Sequence, residues 1–209
     1  MESQPRVLLI KSITMDNTSI IRQRISDSIE AKQNLLADSA TLEIISSLAD
    51  KIVECINAGG KLVICGNGGS ASDALHFAGE IVGRFVKERK AWPAVVLNSD
   101  VATMTAIAND YGYDDVFARQ VEGHVKAGDI FIGISTSGNS ENVLRAAFKA
   151  RELGAKTSAL LGKDGGKIAK EVDYPIIVHC NTTARVQECH INIIHILCEI
   201  SEAKLSQFK

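Results

Sequence analysis

Two predicted helices carry side chains that could bind a divalent metal ion. His76 and Glu80 lie four residues apart, so they project from one face of a helix. Gln187 and His195 lie eight residues apart near the end of the chain. Helical geometry separates that pair by roughly 80°, which lets the two side chains flank one cavity. Imidazole nitrogens and carboxylate oxygens are zinc ligands, while an amide oxygen is a less usual one. The spacing alone leaves two interpretations open: a metal site, or side chains of ordinary amphipathic helices.

Two other histidines are interpreted as structural residues. His190 falls on the other side of Gln187 from His195, which favours a packing role or a role in supporting the site. His179 lies at the end of a predicted strand, so it is assigned to the structure of the chain rather than to a site.

A glycine-rich turn precedes the helix of His76 and Glu80. Leu62–Cys65 form an apolar run typical of a buried strand. Gly66–Gly69 then turn the chain with little side chain to obstruct a ligand. Ser70 is the predicted cap of the helix that follows. This order places free N–H groups of a helix at the edge of a sheet, an arrangement that favours an anion.

A second junction between strand and helix is rich in hydroxyl groups. Asp129–Ser135 is a predicted buried strand, and the next predicted helix runs from Glu141 to Leu153. Hydroxyl donors and the helix dipole together suit a phosphate, and the alternative is a capped turn with solvated hydroxyls. Neither a P-loop motif nor GxGxxG lies here, which disfavours nucleoside triphosphates and dinucleotides. The four hydroxyls belong to Ser135, Thr136, Ser137 and Ser140.

Alternating strands and helices predict one α/β domain with a five-stranded parallel sheet covered by helices on both faces. Extra helices precede the first strand in a domain that runs from 17 to 209, and residues 1–16 form either a disordered arm or a short added element. A turn is predicted at Asn109–Tyr113. Besides the helix that follows Ser70, the predicted helices are 17–36, 42–58, 101–107, 116–125, 141–153 and 183–205, and the strands are 62–65, 94–97, 129–135, 156–161 and 174–178.

The composition is that of a soluble globular domain. Of 209 residues, 45% are hydrophobic and 23% charged, and a net charge of −2 gives no support for nucleic-acid binding. No apolar run approaches the ~20 residues of a membrane span, and the apolar part of Arg6–Lys11 is too short for a secretory signal. The five cysteines lack CxxC spacing. Cys55, Cys65 and Cys198 are interpreted as reduced core thiols, so the cytoplasm is the predicted compartment.

Five motifs occur together in a recognisable order, namely Cys65–Ser70, His76–Glu80, Ala106–Tyr113, Gly133–Ser140 and Ala184–His190 with His195. On these residues the chain resembles the phosphoheptose isomerases of the sugar isomerase (SIS) superfamily, over about residues 42–205. The hydroxyl-rich turn by itself marks only the superfamily. The HxxxE pair with the later glutamine and histidine is far more specific. The resemblance implies a single SIS domain.

The resemblance also implies a reaction and a biological role. D-sedoheptulose 7-phosphate would be converted to D-glycero-D-manno-heptose 7-phosphate, the first step toward ADP- or GDP-heptose for bacterial lipopolysaccharide or capsule. The resemblance implies a homotetramer with its sites near subunit boundaries. The expected partner is a small sugar phosphate, and binding to nucleic acid or to a membrane is not expected. The choice of nucleotide pathway and of polysaccharide is left open.

The same resemblance implies which residues form the site. The phosphate contacts correspond to Ser135, Thr136, Ser137 and Ser140. The residues around the sugar correspond to Asn67, Gly68, Gly69, Asn109 and Asp110, with Glu80 and Gln187 also contacting substrate. One zinc ion per subunit would be bound by His76, Glu80, Gln187 and His195.

An aldose–ketose isomerisation moves a proton between C1 and C2 through an enediol, so it needs a base and an acid beside those carbons. Glu80 is assigned as the base and His195 as its acid–base partner. A carboxylate bound tightly to zinc is a poorer base, so Glu80 either leaves the metal or shares it with substrate; the sequence leaves both open. Ala184 stands where some members of the family have an acidic residue, so a supporting carboxylate is expected to be missing.

Two alternatives to this isomerase are kept. The first is a non-catalytic SIS protein that binds a phosphosugar or a bacterial replication initiator. Such regulators typically lack the glutamate and histidine found here as Glu80 and His195, which favours the enzyme. The second alternative is an isomerase of another sugar phosphate.

Overall fold

A single parallel sheet organises the chain. The computed structural model describes residues 16–206, and this sheet has five strands. The predicted fold class and all five predicted strands are confirmed. The predicted division of the chain at residues 16 and 17 stays a prediction, because residues 1–15 lie outside the described range. The strands are β1 (Leu62–Gly66), β2 (Ala94–Val96), β3 (Ile130–Ser135), β4 (Lys156–Gly162) and β5 (Tyr174–Val178). They lie side by side in the order β2-β1-β3-β4-β5.

Helices cover both faces of this sheet. Leu48, Phe77 and Ile193 belong to the apolar core on one face, and Phe117 and Val143 belong to the core on the other. The helices described within residues 16–206 are α1 (Asn17–Ala37), α2 (Ser39–Asn57), α3 (Gly69–Val82), α4 (Val101–Tyr111), α5 (Val116–His124), α6 (Glu141–Glu152) and α7 (Thr183–Leu205), with 3-10 turns at Tyr113–Asp115 and Ile168–Lys170. The first face is covered by α2, α3 and α7, and the second by α4, α5 and α6.

Strand β3 lies at the centre of the sheet. It pairs in parallel with β1 on one edge and β4 on the other, and all six of its residues are buried. Burial on both faces explains why its sequence is a continuous apolar run rather than an alternating one. The carboxyl ends of β1 and β3 are therefore neighbours, so the glycine-rich turn and the hydroxyl-rich turn lie side by side.

Two local predictions were wrong. Ser70 does not cap α3: the helix begins at Gly69, and Gly68 takes the capping position with φ +56° and no side-chain hydrogen bond. Ser70 is instead buried within the first turn of the helix. The segment predicted as a turn at Asn109–Tyr113 is helical through Tyr111, because Gly112, with φ +91°, is the residue that ends α4.

Helix α1 presents an apolar stripe to solvent. Ile21 and Ile25 are each 57% exposed, and Leu36 is 74% exposed. A stripe of this kind on a surface helix is typical of a surface that another protein covers.

The cysteines are free thiols, and Cys55, Cys65 and Cys198 are buried, as predicted. Burial raises the pKa of Cys55 to about 11 and that of Cys198 to about 12, so neither is a ready nucleophile. None of the helices within residues 16–206 is long and apolar enough to cross a membrane.

Candidate active site

Helices α3 and α7 bring three predicted site residues into one cluster. His76 Nε2 lies 3.1 Å from Glu80 Oε1, as their spacing on α3 predicts. His195 approaches from α7, with its Nε2 3.2 Å from the Nε2 of His76. One ligand atom of each residue lies within 4.8 Å of the other two. All three side chains keep some exposure to solvent, so a substrate can reach them.

The donor set of this cluster fits a divalent metal ion. His76 Nε2 lies close to both a carboxylate oxygen and a second ring nitrogen, although it carries at most one hydrogen. A tetrahedral zinc ion with bonds of about 2.0 Å holds its ligand atoms about 3.3 Å apart, near both observed separations. Catalytic zinc sites commonly use three protein ligands of these types and keep a position for substrate. The cluster can therefore hold a divalent metal ion.

Gln187, the fourth predicted ligand, lies beside this cluster. It lines the same cavity of about 410 Å³ as His76. Its amide packs so closely against Gly69 that a Cβ at that position would collide with the amide nitrogen. Glycine at 69 therefore makes room for the glutamine. The roles of Gln187 as metal ligand and substrate contact stay predictions.

Two carboxylates beside the cluster were missed in the sequence. Asp73 and Glu188 line the same cavity as His76 and Ala184. Burial raises the pKa of Asp73, and the neighbouring His76 opposes that rise. Within residues 16–206, Asp73 Oδ2 and Glu188 Oε2 are buried without a hydrogen-bond partner. Acidic groups therefore remain beside Ala184, and the position of Asp73 one turn before His76 was the signal that could have identified it.

The hydroxyl-rich turn between β3 and α6 draws its side chains together. Ser135 Oγ lies 2.8 Å from Ser140 Oγ and 3.5 Å from Ser137 Oγ. The backbone N–H of Asn139 donates to Ser137 Oγ at 3.1 Å. Ser140 precedes the first residue of α6 without capping the helix through its side chain. Three hydroxyls thus converge at a helix N-terminus, an arrangement suited to phosphate.

Glycines allow other backbone segments to pack against this turn. Gly138 has φ +67°, and a Cβ there would collide with the backbone of Gly165. Gly162, at the end of β4, lies against the carbonyl of half-buried Thr136, where a Cβ would also collide. The turn is therefore supported from two neighbouring segments, which fixes where its hydroxyls lie.

The glycine-rich turn is held by an asparagine that was missed in the sequence. Asn67 and buried Asn142 exchange two side-chain hydrogen bonds, of 2.9 and 3.0 Å. The hydroxyl of Tyr113 donates to Asn67 Oδ1 at 3.0 Å. Because Asn142 belongs to the first turn of α6, it links the two turns directly. Gly68 and Gly69 remain exposed beside them.

Asn109 and Asp110 lie on the last turn of α4 and are exposed. The Asn109 amide donates to Asp110 Oδ1 at 2.8 Å. Within the described range, neither side chain forms a hydrogen bond with a predicted site residue other than its neighbour in this pair. The structure therefore does not gather them with the rest, and their contact with a sugar stays a prediction.

A buried ion pair anchors the end of α3 that carries Glu80. Glu202, on α7, accepts hydrogen bonds of 2.8–3.1 Å from three successive backbone N–H groups, those of 85–87, and from Arg89 Nε. Arg89 also donates to the carbonyl of Glu80 at 2.8 Å. Both charged side chains are 3% exposed. Burial raises the pKa of Glu202, but its hydrogen bonds together hold that pKa below the ordinary value.

The segment 85–89, which Glu202 holds, contacts the candidate site. Phe85 stacks near His195, with ring centroids 5.8 Å apart. The Arg89 guanidinium lies over the ring of Trp92, 3.5 Å from its centroid. No spacing pattern in the sequence linked Glu202 with Arg89, since they lie on different segments.

The two histidines interpreted as structural make hydrogen bonds to backbone carbonyls. Buried His190 donates from Nε2 to Leu161 at 3.1 Å, and burial lowers the pKa of His190 to about 4. His179 donates from Nδ1 to the carbonyl of Lys163 at 3.1 Å. Both contacts are of the kind expected for structural residues.

The fold and the hydroxyl-rich turn define the class of protein. The SIS domain family matches residues 16–162, which is most of the chain. A solved phosphoheptose isomerase from Neisseria gonorrhoeae superposes with a TM-score of 0.84 and 41% identity, covering 89% of this chain and 98% of that one. A second, from Francisella tularensis, gives a TM-score of 0.86 and 36% identity, covering 90% of this chain and 100% of that one. The chain is thus similar to these proteins over nearly its whole length.

Curated relatives narrow this class. A phosphoheptose isomerase of Citrifermentans bemidjiense is 55% identical over 161 residues, 77% of this chain and 84% of the relative. That of Clostridium acetobutylicum is 47% identical over 187 residues, 90% of this chain and 95% of the relative. The chain belongs to the phosphoheptose isomerase family, and the resemblance drawn from its motifs is confirmed.

Proposed function

We propose that this protein is an aldose–ketose isomerase that converts D-sedoheptulose 7-phosphate to D-glycero-D-manno-heptose 7-phosphate. The family assignment gives the substrate and the reaction. One observation in the chain itself carries the proposal: Glu80 and His195, from separate helices, share a solvent-accessible cluster with His76. A shift of a carbonyl from C2 to C1 requires a base and an acid beside those carbons, and a metal held at the same place can stabilise the enediolate oxygens.

Glu80 is the proposed base. It would take a proton from the carbon next to the carbonyl, and return one to the neighbouring carbon after the enediol has formed. His195 would exchange a proton with the oxygens of C1 and C2, so that charge does not accumulate there. The 3.2 Å contact between His195 and His76 sets both rings on the same side of this centre.

A zinc ion, one per subunit, is the proposed cofactor, with His76, Glu80, Gln187 and His195 as its ligands. A bound zinc ion supplies Lewis-acid polarisation of the oxygens of the sugar. The distances among three of these residues support the proposal, as described above. Gln187 lines the same cavity as His76, which supports its place as the fourth ligand.

The substrate's phosphate is assigned to the hydroxyl-rich turn. Ser135, Ser137 and Ser140 converge there, with Thr136 between them. The glycine-rich turn, with Asn67, Gly68 and Gly69, would then lie beside the sugar, and Asn109 and Asp110 on α4 are retained as proposed sugar contacts. Glu80 and Gln187 complete the proposed substrate contacts at the other end.

Incubation with sedoheptulose 7-phosphate, with and without a chelator, tests these proposals together. We expect product formation that is lost on exhaustive chelation and restored by zinc. Activity that survives chelation would remove the zinc proposal and leave the isomerase. Absence of turnover by the zinc-loaded protein, with turnover of another sugar phosphate, would change the substrate only.

A non-catalytic regulator of the same fold is not favoured, since Glu80 and His195 are both present and share one cluster. Binding of sedoheptulose 7-phosphate without any turnover would reverse this preference.

We further propose a homotetramer in the cytoplasm that supplies heptose for lipopolysaccharide or capsule. The exposed apolar stripe of α1 supports association, because Ile21, Ile25 and Leu36 would otherwise face water. Free thiols are typical of a reducing compartment. Sedimentation equilibrium would test the tetramer, and a monomer mass at micromolar concentration would contradict it.

A further inference from the structure

The side chains of Asn67 and Asn142 form a reciprocal amide pair between the two turns. Asn67 Nδ2 lies 2.9 Å from Asn142 Oδ1, and Asn142 Nδ2 lies 3.0 Å from Asn67 Oδ1. Asn142 is 3% exposed, whereas Asn67 is half-buried. One residue of the pair therefore belongs to the interior, and the other borders the region proposed for the sugar.

A backbone donor fixes the orientation of both amides. The N–H of Val143 donates to Asn142 Oδ1 at 2.9 Å, and a backbone N–H can only donate. The atom that faces it must be an oxygen, so the other atom of the Asn142 amide is the nitrogen. That nitrogen donates to Asn67, which makes the receiving atom Asn67 Oδ1. The assignment thus follows from chemistry rather than from the shape of the amide alone.

The hydrogen-bonding capacity of Asn67 is then almost used up. Its Oδ1 has two acceptor positions, which are taken by Asn142 Nδ2 and by the hydroxyl of Tyr113. One of its two Nδ2 hydrogens is donated to Asn142. The second Nδ2 hydrogen of Asn67 has no hydrogen-bond partner within residues 16–206.

We infer that Asn142 and Tyr113 act as positioning residues that restrict Asn67 to donating one N–H to a substrate oxygen. The inference rests on the proposed function, because that function places Asn67 beside the sugar and the inference states that Asn67 acts there as a hydrogen-bond donor. Asn67 could then bind a carbonyl, a hydroxyl oxygen or an enediolate, and could not accept a hydrogen bond from a sugar hydroxyl. An N–H donor gains strength as negative charge develops on its acceptor, so Asn67 would favour the enediolate over the ground state.

The substitution Asn142→Asp tests this polarity. An aspartate can still accept from Val143 and Asn67, but above its pKa its second oxygen faces Asn67 Oδ1 without a hydrogen between them. We expect kcat/KM at pH 8 to fall about 100-fold relative to the unaltered protein. A protonated carboxyl group restores the donor, so the ratio of variant to unaltered activity should rise on acidification, by at most about tenfold per pH unit, as the introduced carboxyl becomes protonated.

The matched control is Asn142→Leu, which has a similar shape and no donor at any pH. Its activity relative to the unaltered protein should be low and independent of pH. Recovery of Asn142→Asp alone on acidification supports the inference. A flat ratio for Asn142→Asp, or the same pH profile for both variants, overturns it.

Thermal melting supplies a readout that does not need turnover. The melting temperature of Asn142→Asp, relative to the unaltered protein, should rise as acidification protonates the introduced carboxyl in the folded state, whereas that of Asn142→Leu should keep a constant deficit. If the unaltered protein does not isomerise sedoheptulose 7-phosphate, the proposed function fails while this measurement still decides the amide pair. A constant deficit for both variants overturns the inference.

A substitution at the surface, Tyr113→Phe, tests the same inference if Asn142→Asp does not fold. Tyr113→Phe removes one donor to Asn67 Oδ1 from a residue that is 55% exposed, so folding is preserved. We expect kcat to fall about threefold to tenfold, the worth of one neutral hydrogen bond. Tyr111→Phe is the control, since Tyr111 is equally exposed and accepts a long 3.5 Å contact from Arg119 instead. Equal kcat in the two tyrosine variants overturns the inference.

Discussion

The two neighbouring junctions between strand and helix share a topology but place their chemistry differently. After β1, the turn Gly66–Gly69 is almost bare, and the candidate catalytic groups lie further along α3, at His76 and Glu80. After β3, the turn itself carries the hydroxyls of Ser135–Ser140, and the helix that follows supplies core and surface residues. At the first junction the candidate site residues lie on the helix, whereas at the second junction they lie in the turn itself.

This difference separates two kinds of task. A proton transfer needs a group held in one orientation, which a helix provides when a second helix packs against it, as α7 does against α3. A phosphate needs several donors around it, which a short turn at a helix N-terminus provides. Substitutions on α3 and α7 should therefore reduce kcat, and substitutions in the hydroxyl-rich turn should raise KM.

The largest effect is expected from Glu80→Gln. The amide cannot accept a proton from carbon, so kcat should fall about 10⁴-fold, the upper range for loss of a general base. Steady-state kinetics with sedoheptulose 7-phosphate measures the loss, and circular dichroism checks the fold. Glu199→Gln, an exposed change of the same charge on α7, should leave kcat unaltered. Turnover of Glu80→Gln close to that of this control would remove Glu80 as the base.

A smaller loss of kcat, about 10²- to 10³-fold, is expected from His195→Asn. An asparagine keeps some hydrogen bonding near His76 but cannot shuttle a proton at neutral pH. Equal loss of kcat and kcat/KM would show that the contribution lies in the transition state. If KM alone rises, His195 contributes to substrate binding. The proposal that α3 and α7 carry the chemistry while the hydroxyl-rich turn carries the binding would then not hold for α7.

The sequence predicted those parts of the molecule whose cause is local or periodic. Apolar runs predicted the five strands, and the four-residue spacing of His76 and Glu80 predicted their contact. The motif order identified the family. Local conformation was less predictable: Gly68, rather than Ser70, takes the capping position of α3, because a glycine tolerates φ +56° there.

Contacts between distant segments could not be predicted. Asn142 looks like an ordinary polar residue in the first turn of a helix until the fold brings it against Asn67. Glu202 looks like a surface glutamate near the end of a long helix, yet it is buried against the segment after α3. Each depends on a partner more than 70 positions away in the chain, for which a single sequence carries no signal.

The buried ion pair of Glu202 and Arg89 should make the fold sensitive to substitution at Glu202. Glu202→Gln should reduce the free energy of unfolding by about 3 kcal/mol, because Arg89 would be left buried without its carboxylate. Urea denaturation at pH 7 measures this value, with Glu199→Gln as the control on the same helix. A change below about 1 kcal/mol would mean that the backbone N–H groups, rather than the charge, decide the contact.

The stability lost in Glu202→Gln should depend on pH, because the pKa of Glu202 is lowered in the folded state. The charged carboxylate stabilises the protein fully above the ordinary glutamate pKa of about 4.3. The contribution is lost as the pH falls through the lower pKa of the folded state. The stability deficit of Glu202→Gln should therefore shrink below about pH 4, and a deficit that grew on acidification would contradict a lowered pKa.

The smallest effect is expected from Ser137→Ala in the hydroxyl-rich turn. Ser137 Oγ accepts from the Asn139 N–H, which leaves its hydroxyl hydrogen available for a phosphate oxygen. Loss of that bond should raise KM about tenfold with little change in kcat, because the phosphate is bound equally in ground and transition states. Ser47→Ala, on the exposed face of α2, is the control. An unaltered KM would mean that the hydroxyl only caps the turn, and phosphate binding would then depend on Ser135, Thr136 and Ser140.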